Sequence, residues 1–415
     1  MGERVLTLRE LNRTLLLRQL LLRRERLPVA RAIERVGALQ AQWAPAPYVA
    51  LWSRLEGFER PALERALARG SVVKALLMRA TMHLVSARDY PWLDSCVREA
   101  RTLVRVRGTE PPPDRVVELA LALTRERPHT RPELMRALGY DPRTQDPHQV
   151  REMSWVVALA RLEQAPEAAY WSFRGSPLLR PAEHELPRRD EAAAYLIRRY
   201  LSAFGPATRS DVSAWSGVPI RDLEQGFESL RLRSFRDEAG RMLFDLPRAP
   251  LASAAVSAPA RLLPRWEEVL LAHKDRTRVL PDEYRREVIA VNGDVRQAIL
   301  VDGFVAGYWE HSGERVTIHG FAPSRVRRVV NWTRRLGGLP PGSASVNACS
   351  SAATARAGSR RRSTMGTRSA WTACSSSSRA RGRGASRSTT PPTSRRSGAV
   401  ARSSESAPWR CTRST

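Results

Sequence analysis

Lysine is almost missing from this chain: Lys74 and Lys274 are the only two among 69 basic residues in 415. Arginine supplies the rest, as expected of a GC-rich genome. The formal net charge of +27 has two readings. It points to a polyanionic partner, nucleic acid first, or it reflects arginine as the default basic residue of such a genome. Cysteine is scarce too. Cys349, Cys374 and Cys411 lie near the C-terminus and Cys96 stands alone, so no disulfide or zinc spacing is present. The seven histidines never pair at metal-ligand spacing, and no glycine-rich phosphate loop occurs. We therefore expect no metal and no cofactor. No run of about eighteen apolar residues is found, and the charged start lacks the apolar core of a secretory signal. The expected location is the cytoplasm, with no membrane partner.

From Pro341 to Thr415 the chain has no Leu, Ile, Phe, Tyr, Lys, Asp, Gln or His. Such a Ser/Arg/Ala/Thr/Gly mixture cannot bury a core, and disorder is expected. One explanation is a basic arm that grips phosphates. The other, which we favour, is translation out of frame, because the body breaks off inside what reads as an unfinished domain.

The body alternates amphipathic helices with short strands. Helical spacing of apolar residues covers 8–24, 114–125, 149–162 and 191–204. An internal repeat organises them. Pro128-His129-Thr130-Arg131-Pro132-Glu133-Leu134 resembles Pro206-Ala207-Thr208-Arg209-Ser210-Asp211-Val212. In each, Thr caps a helix whose acid three residues on reaches back, and Gly139 or Gly217 follows that Thr by nine residues. A short helix ending at a glycine turn is the first half of a helix-turn-helix. Residues 220–232 would be the second, recognition helix, and 235–246 a hairpin wing turning at Asp237-Glu238-Ala239-Gly240. A fainter copy begins at Pro28. Residues 262–320 read as strands, with a hairpin at Asn292-Gly293. The expected fold is α+β: three tandem winged helices (1–110, 111–185, 186–260), a small β domain (261–338) and a basic tail (339–415). Ordinary capped helices in an unrelated helical domain are the alternative.

Two segments carry candidate chemistry. In Leu39-Gln40-Ala41-Gln42-Trp43-Ala44-Pro45, two glutamines flank one small residue. If the stretch is extended, both amides point one way and hold a water or bracket a sugar; if helical, they diverge. In Arg79-Ala80-Thr81-Met82-His83-Leu84, polar and apolar residues alternate as on a strand. Its polar face suits a phosphate or a sugar, or simply meets solvent.

At these segments the chain resembles the AlkZ/YcaQ family of DNA glycosylases. The match spans most of residues 6–320. Further pieces are Leu11-Asn12-Arg13, Tyr48 to Trp52 with Arg54, Asp89-Tyr90-Pro91-Trp92, Phe204-Gly205-Pro206-Ala207-Thr208, Trp215-Ser216-Gly217, Phe244-Asp245-Leu246-Pro247, His273-Lys274-Asp275-Arg276 and Val301-Asp302-Gly303. Their order along the chain is the specific signal. The resemblance implies three winged helices held by a β domain, and a catalytic signature of Gln, an aliphatic residue, then Gln or Asp. Gln40-Ala41-Gln42 fits the Gln–Gln form, associated with unhooking crosslinks and removing bulky N-alkyl purines. It implies a monofunctional, monomeric, nucleoid-associated enzyme on double-stranded DNA with alkylated purines. Arg79, Thr81, His83, Trp43, Tyr48, Arg54 and Arg209 are the expected supporting or DNA-contacting residues. Two rival readings are a non-catalytic winged-helix regulator and the inactive product of a damaged gene. The family's closing C-terminal helix has no counterpart in this sequence.

Overall fold

The computed structural model describes residues 4–106, 108–171, 175–312, 315–321 and 345–350, all within the unit Met1–Thr354. The fold is mixed α+β. Three small three-stranded sheets recur along the chain. The first orders Leu39–Gln40, Met82–Ser86 and Val72–Leu76, all antiparallel. The second orders His129–Thr130, Leu178–Pro181 and Leu162–Gln164 in the same sense. In the third, Arg233–Asp237 pairs antiparallel with Met242–Asp245, and Val5–Leu6 adds in parallel on the other edge.

The helices between the strands begin where the sequence provides caps. Thr130 and Thr208 each form the full reciprocal box, with Glu133 and Asp211, at the starts of Arg131–Ala137 and Arg209–Ser216. Each box satisfies N–H groups that a helix start otherwise leaves without partners. A third box, Thr7 with Glu10, starts Leu8–Arg18. At the fainter copy the Val29–Val36 helix has Pro28 at its N-cap and no side-chain cap. Some helices are shorter than their periodicity suggests. The first ends at Arg18 rather than 24, and the chain leaves it through Leu20 at a φ of 57°. The expected helix 220–232 is a 3-10 turn, Ile220–Asp222, followed by the short helix Glu224–Glu228. The helix expected over 149–162 runs Pro147–Leu159 and yields to strand Leu162–Gln164.

A five-stranded sheet follows in the order Arg261–Leu262, Ala298–Val301, Phe304–Ser312, Arg315–Gly320 and Ser345–Ser350. The turn Asp302-Gly303 has positive φ at both positions (50° and 83°), the geometry of a two-residue hairpin. A Cβ on Gly303 would overlap the side chains of Asn12 and Arg13, so the turn also needs glycine for close approach to the first helix. The Asn292-Gly293 hairpin forms, with Ile289 bridged to Val295. Strand Ser345–Ser350, which lies past the boundary expected at 338/339, pairs in parallel with Arg315–Gly320. Backbone pairing needs no apolar run, so composition concealed this strand. The disorder expected for the remainder of 339–415 falls outside the described residues.

The central core surrounds the helix Arg189–Phe204, where Leu196, Ile197, Tyr200, Leu201 and Phe204 meet Trp215 and Leu270. Residues 111–185 keep a small core of their own around Leu134, Met153 and Val156. Buried charge ties the first helix to the rest. Arg18 donates to both oxygens of Asp245, at 2.8 and 2.9 Å, and to the carbonyls of Leu201 and Pro250. Both side chains are almost wholly buried. Breaking a buried pair by removing one member costs about 3–5 kcal/mol, since the other charge is left without a partner. Asp245→Ala is therefore expected to lower stability by about that amount, measured by chemical denaturation. A loss below about 1 kcal/mol would show the pair to be solvated in solution.

Candidate active site

Gln40 ends the short strand Leu39–Gln40 and lies opposite His83 in the ladder. The extended backbone continues one residue further, because the Ala41 N–H donates to the Met82 carbonyl at 2.7 Å. Gln40 is largely buried, whereas Gln42 is exposed and Trp43 half-exposed. Arg79 Nη2 donates to Gln40 Oε1 at 3.2 Å. The Met82 N–H donates to Gln42 Oε1 at 3.2 Å. A guanidinium and a backbone N–H have no lone pair to offer, so in both amides the oxygen must be the atom that faces the donor. Among the described residues neither amide nitrogen has an acceptor.

Arg79, Thr81 and His83 do not share one strand as expected. Residues Met78–Ala80 form a 3-10 turn with Arg79 and Ala80 at φ of 54° and 55°, and the strand begins only at Met82. Two successive left-handed non-glycine residues cost about 1–2 kcal/mol each, and the surroundings must hold them there. Gly217 is part of that hold. It ends the helix Arg209–Ser216 at a φ of 78°, and a Cβ there would come within 3.2 Å of the Arg79 N and Cα. Thr81 spends its hydroxyl on the Met78 carbonyl at 3.1 Å, closing the turn.

A residue the sequence reading overlooked lies at the centre. Glu268 is buried, and its Oε1 receives Arg79 Nη2 at 2.9 Å and His83 Nε2 at 3.1 Å. Its Oε2 receives Trp215 Nε1 at 2.8 Å. Arg79 Nη1 also donates to the Trp215 carbonyl at 2.6 Å, and His83 Nδ1 meets the Thr81 carbonyl at 2.9 Å. Burial alone would push the Glu268 carboxyl up, but the Arg79 charge and the His83 contact outweigh it and hold it at about 2. The preceding residue, Glu267, pairs with Arg54 through both oxygens, at 2.7 and 3.3 Å. The adjoining acids of Trp266-Glu267-Glu268, entering the apolar run Val269-Leu270-Leu271, were the signal available in the sequence.

The remaining expected residues divide. Arg54 is wholly buried and also donates to Gln19 Oε1, at 3.3 Å, and to the Ala50 carbonyl. Tyr48 is buried, its hydroxyl accepting the Trp171 N–H at 3.1 Å. Neither presents its side chain to solvent, so of the two expected roles, supporting or DNA-contacting, the supporting one suits this arrangement. Arg209 is exposed, with its guanidinium 5.2 and 5.3 Å above the rings of Phe227 and Phe244. Among the described residues no helix is long and apolar enough to cross a membrane, and no cluster of His, Cys, Asp and Glu is arranged to hold a metal ion.

The sequence profile of the family described as "DNA glycosylase AlkZ-like" matches residues 33–346. The chain belongs to the AlkZ-like DNA glycosylase family. An interstrand DNA cross-link repair glycosylase from Streptomyces sahachiroi is 28% identical over 313 residues, covering 70% of this chain and 84% of that protein. The solved structure of the Streptomyces sahachiroi DNA glycosylase AlkZ superposes with a TM-score of 0.67 at 21% identity, over 83% of this chain and all of the other. That likeness establishes a shared fold, and the residues matched by the family profile span Gln40-Ala41-Gln42, the Arg79 turn and Glu268.

The charge arrangement predicts an acid response. The folded chain keeps Glu268 ionised down to about 2, below its usual 4.5. A depressed carboxyl contributes stability in full above the unfolded value and loses it as pH falls toward the folded one. The stability difference between wild type and Glu268→Gln is therefore expected to be constant above pH 4.5 and to shrink between 4.5 and 2. Denaturant titrations at several pH values check this, and a difference that stays flat to pH 3 would overturn the assignment.

Proposed function

We propose that this AlkZ-like chain hydrolyses the N-glycosidic bond of bulky or strand-crosslinking N-alkyl purines in double-stranded DNA. One observation carries the substrate class: the carboxylate linked to Gln40 through Arg79 is not available as an acid. Glu268 is ionised, buried and engaged by three side chains, so it has no proton to give a departing base. A neutral purine needs such protonation. An N7-alkylguanine does not, because it is already cationic. When its C1′–N9 bond breaks, the base leaves with the bonding pair and its charge is cancelled. A water oxygen bonds to C1′ and releases a proton, leaving an abasic site and the free base.

Gln40 and Gln42 support this as neutral donors. Their NH2 groups are free to hold the attacking water or the sugar oxygens as positive charge builds on the ring, with no titrating group required. His83 and Thr81 maintain the Arg79 turn behind them. Arg209, exposed beside the two Phe rings, is suited to phosphate, and such contacts give a salt-dependent affinity. We read the three small sheets with their capped helices as three winged helices over 1–110, 111–185 and 186–260, the last with its wing at Arg233–Asp237 and Met242–Asp245. A crosslinked base cannot turn freely into a deep pocket, so a strand edge such as Gln40–Gln42 is a suitable place for the amides.

The test uses the full chain and duplexes carrying N7-methylguanine or a nitrogen-mustard crosslink, with abasic sites scored by alkaline cleavage. Gln40→Ala and Gln42→Ala are each expected to slow release by about 10²–10³-fold, the range for removal of one preorganised donor. Gln40→Glu keeps an acceptor for Arg79 and removes the NH2, so it is expected to fail as badly as alanine. Tight binding without release by wild-type protein would return the chain to the regulator reading.

A further inference from the structure

The two ends of a side-chain amide are nearly the same size, so packing does not choose between them. A half-turn about the last torsion of Gln40 would exchange its oxygen and nitrogen at small steric cost. What chooses is the charge of the neighbour. Gln40 Oε1 has one side-chain donor among the described residues, Arg79 Nη2 at 3.2 Å. Arg79 is a long side chain on a strained turn, about a fifth exposed, and it would sample many rotamers if left free. It is fixed at two points: Nη1 on the Trp215 carbonyl at 2.6 Å and Nη2 on Glu268 Oε1 at 2.9 Å. The same Nη2 serves Glu268 and Gln40. The carboxylate, the guanidinium and the amide thus form a single chain of hydrogen bonds.

We propose that Glu268 is a positioning residue for the glycosylase reaction: by holding Arg79 it sets the Gln40 amide with its oxygen inward and its NH2 toward the DNA. Glu268 does not touch substrate. It works from the start of the helix Glu268–Leu271, more than 180 residues along the chain from the turn it holds. It also collects Trp215 from the helix Arg209–Ser216 and His83 from the strand Met82–Ser86. The amide therefore has its donor end outward only when these three elements are assembled. This gives the AlkZ-like site a built-in dependence of its chemistry on the closure of the fold.

Glu268→Gln tests this with almost no change of shape. A carboxylate offers two acceptor oxygens, one for Arg79 with His83 and one for Trp215. A carboxamide offers one, so one side must face an NH2 against its own N–H groups. The inference rests on Gln40 meeting the substrate, and two readouts keep the two claims apart. The first is single-turnover release from N7-methylguanine duplex. Glu268→Gln is expected to slow it tenfold or more, with duplex affinity unchanged. In a Gln40→Ala background the same substitution should add nothing, because sites acting through one another are not additive. Multiplying effects in the double variant would overturn the proposal. The second readout needs no activity. In 15N-labelled protein, the Gln40 side-chain NH2 pair is assigned by its loss in Gln40→Ala. Glu268→Gln should shift that pair or broaden it, and an unmoved pair would overturn the proposal even if the chain released no base. Should Glu268→Gln fail to fold, Arg79→Gln cuts the same link one step nearer the amide and carries the same expectations.

Discussion

The structure depends on two adjacent buried carboxylates that face different ways. Glu267 takes Arg54 from the helix Ala46–Arg54, and Glu268 takes Arg79 from the turn after Val72–Leu76. Each acid has an arginine of its own, so neither charge is left uncompensated in a low-dielectric interior, where the cost is several kcal/mol per ion. The pairings reach across about 200 residues of sequence. They fix the position of the segment between strands Arg261–Leu262 and Ala298–Val301 of the five-stranded sheet against the helix Ala46–Arg54 and the Arg79 turn, and with Trp215 they bring the helix Arg209–Ser216 to the same point. Trp266, immediately before the acids, sits at a φ of 53°. The backbone is bent on both sides of the contact, at Trp266 and at Arg79-Ala80, to let the charges meet.

This arrangement explains what was legible in the sequence and what was not. The capping boxes at Thr130 and Thr208 could be read directly, because Thr and an acid at a spacing of three interact through the local backbone alone. The glycine turns were legible for the same reason. Gln40-Ala41-Gln42 stood out as an uncommon spacing, and its strand follows from pairing with Met82–Ser86. The Arg79 turn was missed because alternation in Arg79-Ala80-Thr81-Met82-His83 imitates a strand. What breaks it is tertiary: Gly217 packs against the Arg79 backbone and Glu268 pulls on its side chain. No local pattern reports a partner so far away. Glu268 itself was hidden for that reason, and for Arg54 and Tyr48 the choice between a supporting and a DNA-contacting role stayed open, because a buried arginine or tyrosine has the same letter as an exposed one.

The same point alters the meaning of the arginine content. A net charge of +27 suggests a protein covered in DNA-seeking cations. Yet Arg13, Arg18, Arg54 and Arg278 are buried, and all four bind backbone carbonyls, the first three binding acids as well. Arg13 reaches the carbonyls of Val256 and Asp302, and Arg278 that of Pro206. Arginine suits this work because its planar fork carries five donors. It can satisfy the carbonyls of irregular segments, such as 246–258, that no sheet or helix serves. Part of the arginine excess is therefore internal scaffolding, and the two compositional readings, polyanion binding and genomic habit, both describe fractions of the same residues.

Scaffolding and chemistry then meet in one side chain. Arg79 and His83 hold Glu268 ionised, so this carboxylate has no proton to give as a general acid. On the proposed reading such a site would be selective by omission: the two amides would supply donors, and Glu268 would supply no proton for a neutral base. Among purines this favours those that arrive already charged by alkylation, whose glycosidic bonds need only a stabilised sugar cation to break. On the proposed reading, the buried charge that joins these segments would also confine the reaction to damaged bases, so that the discrimination against intact DNA would not have to be built from contacts to the lesion itself.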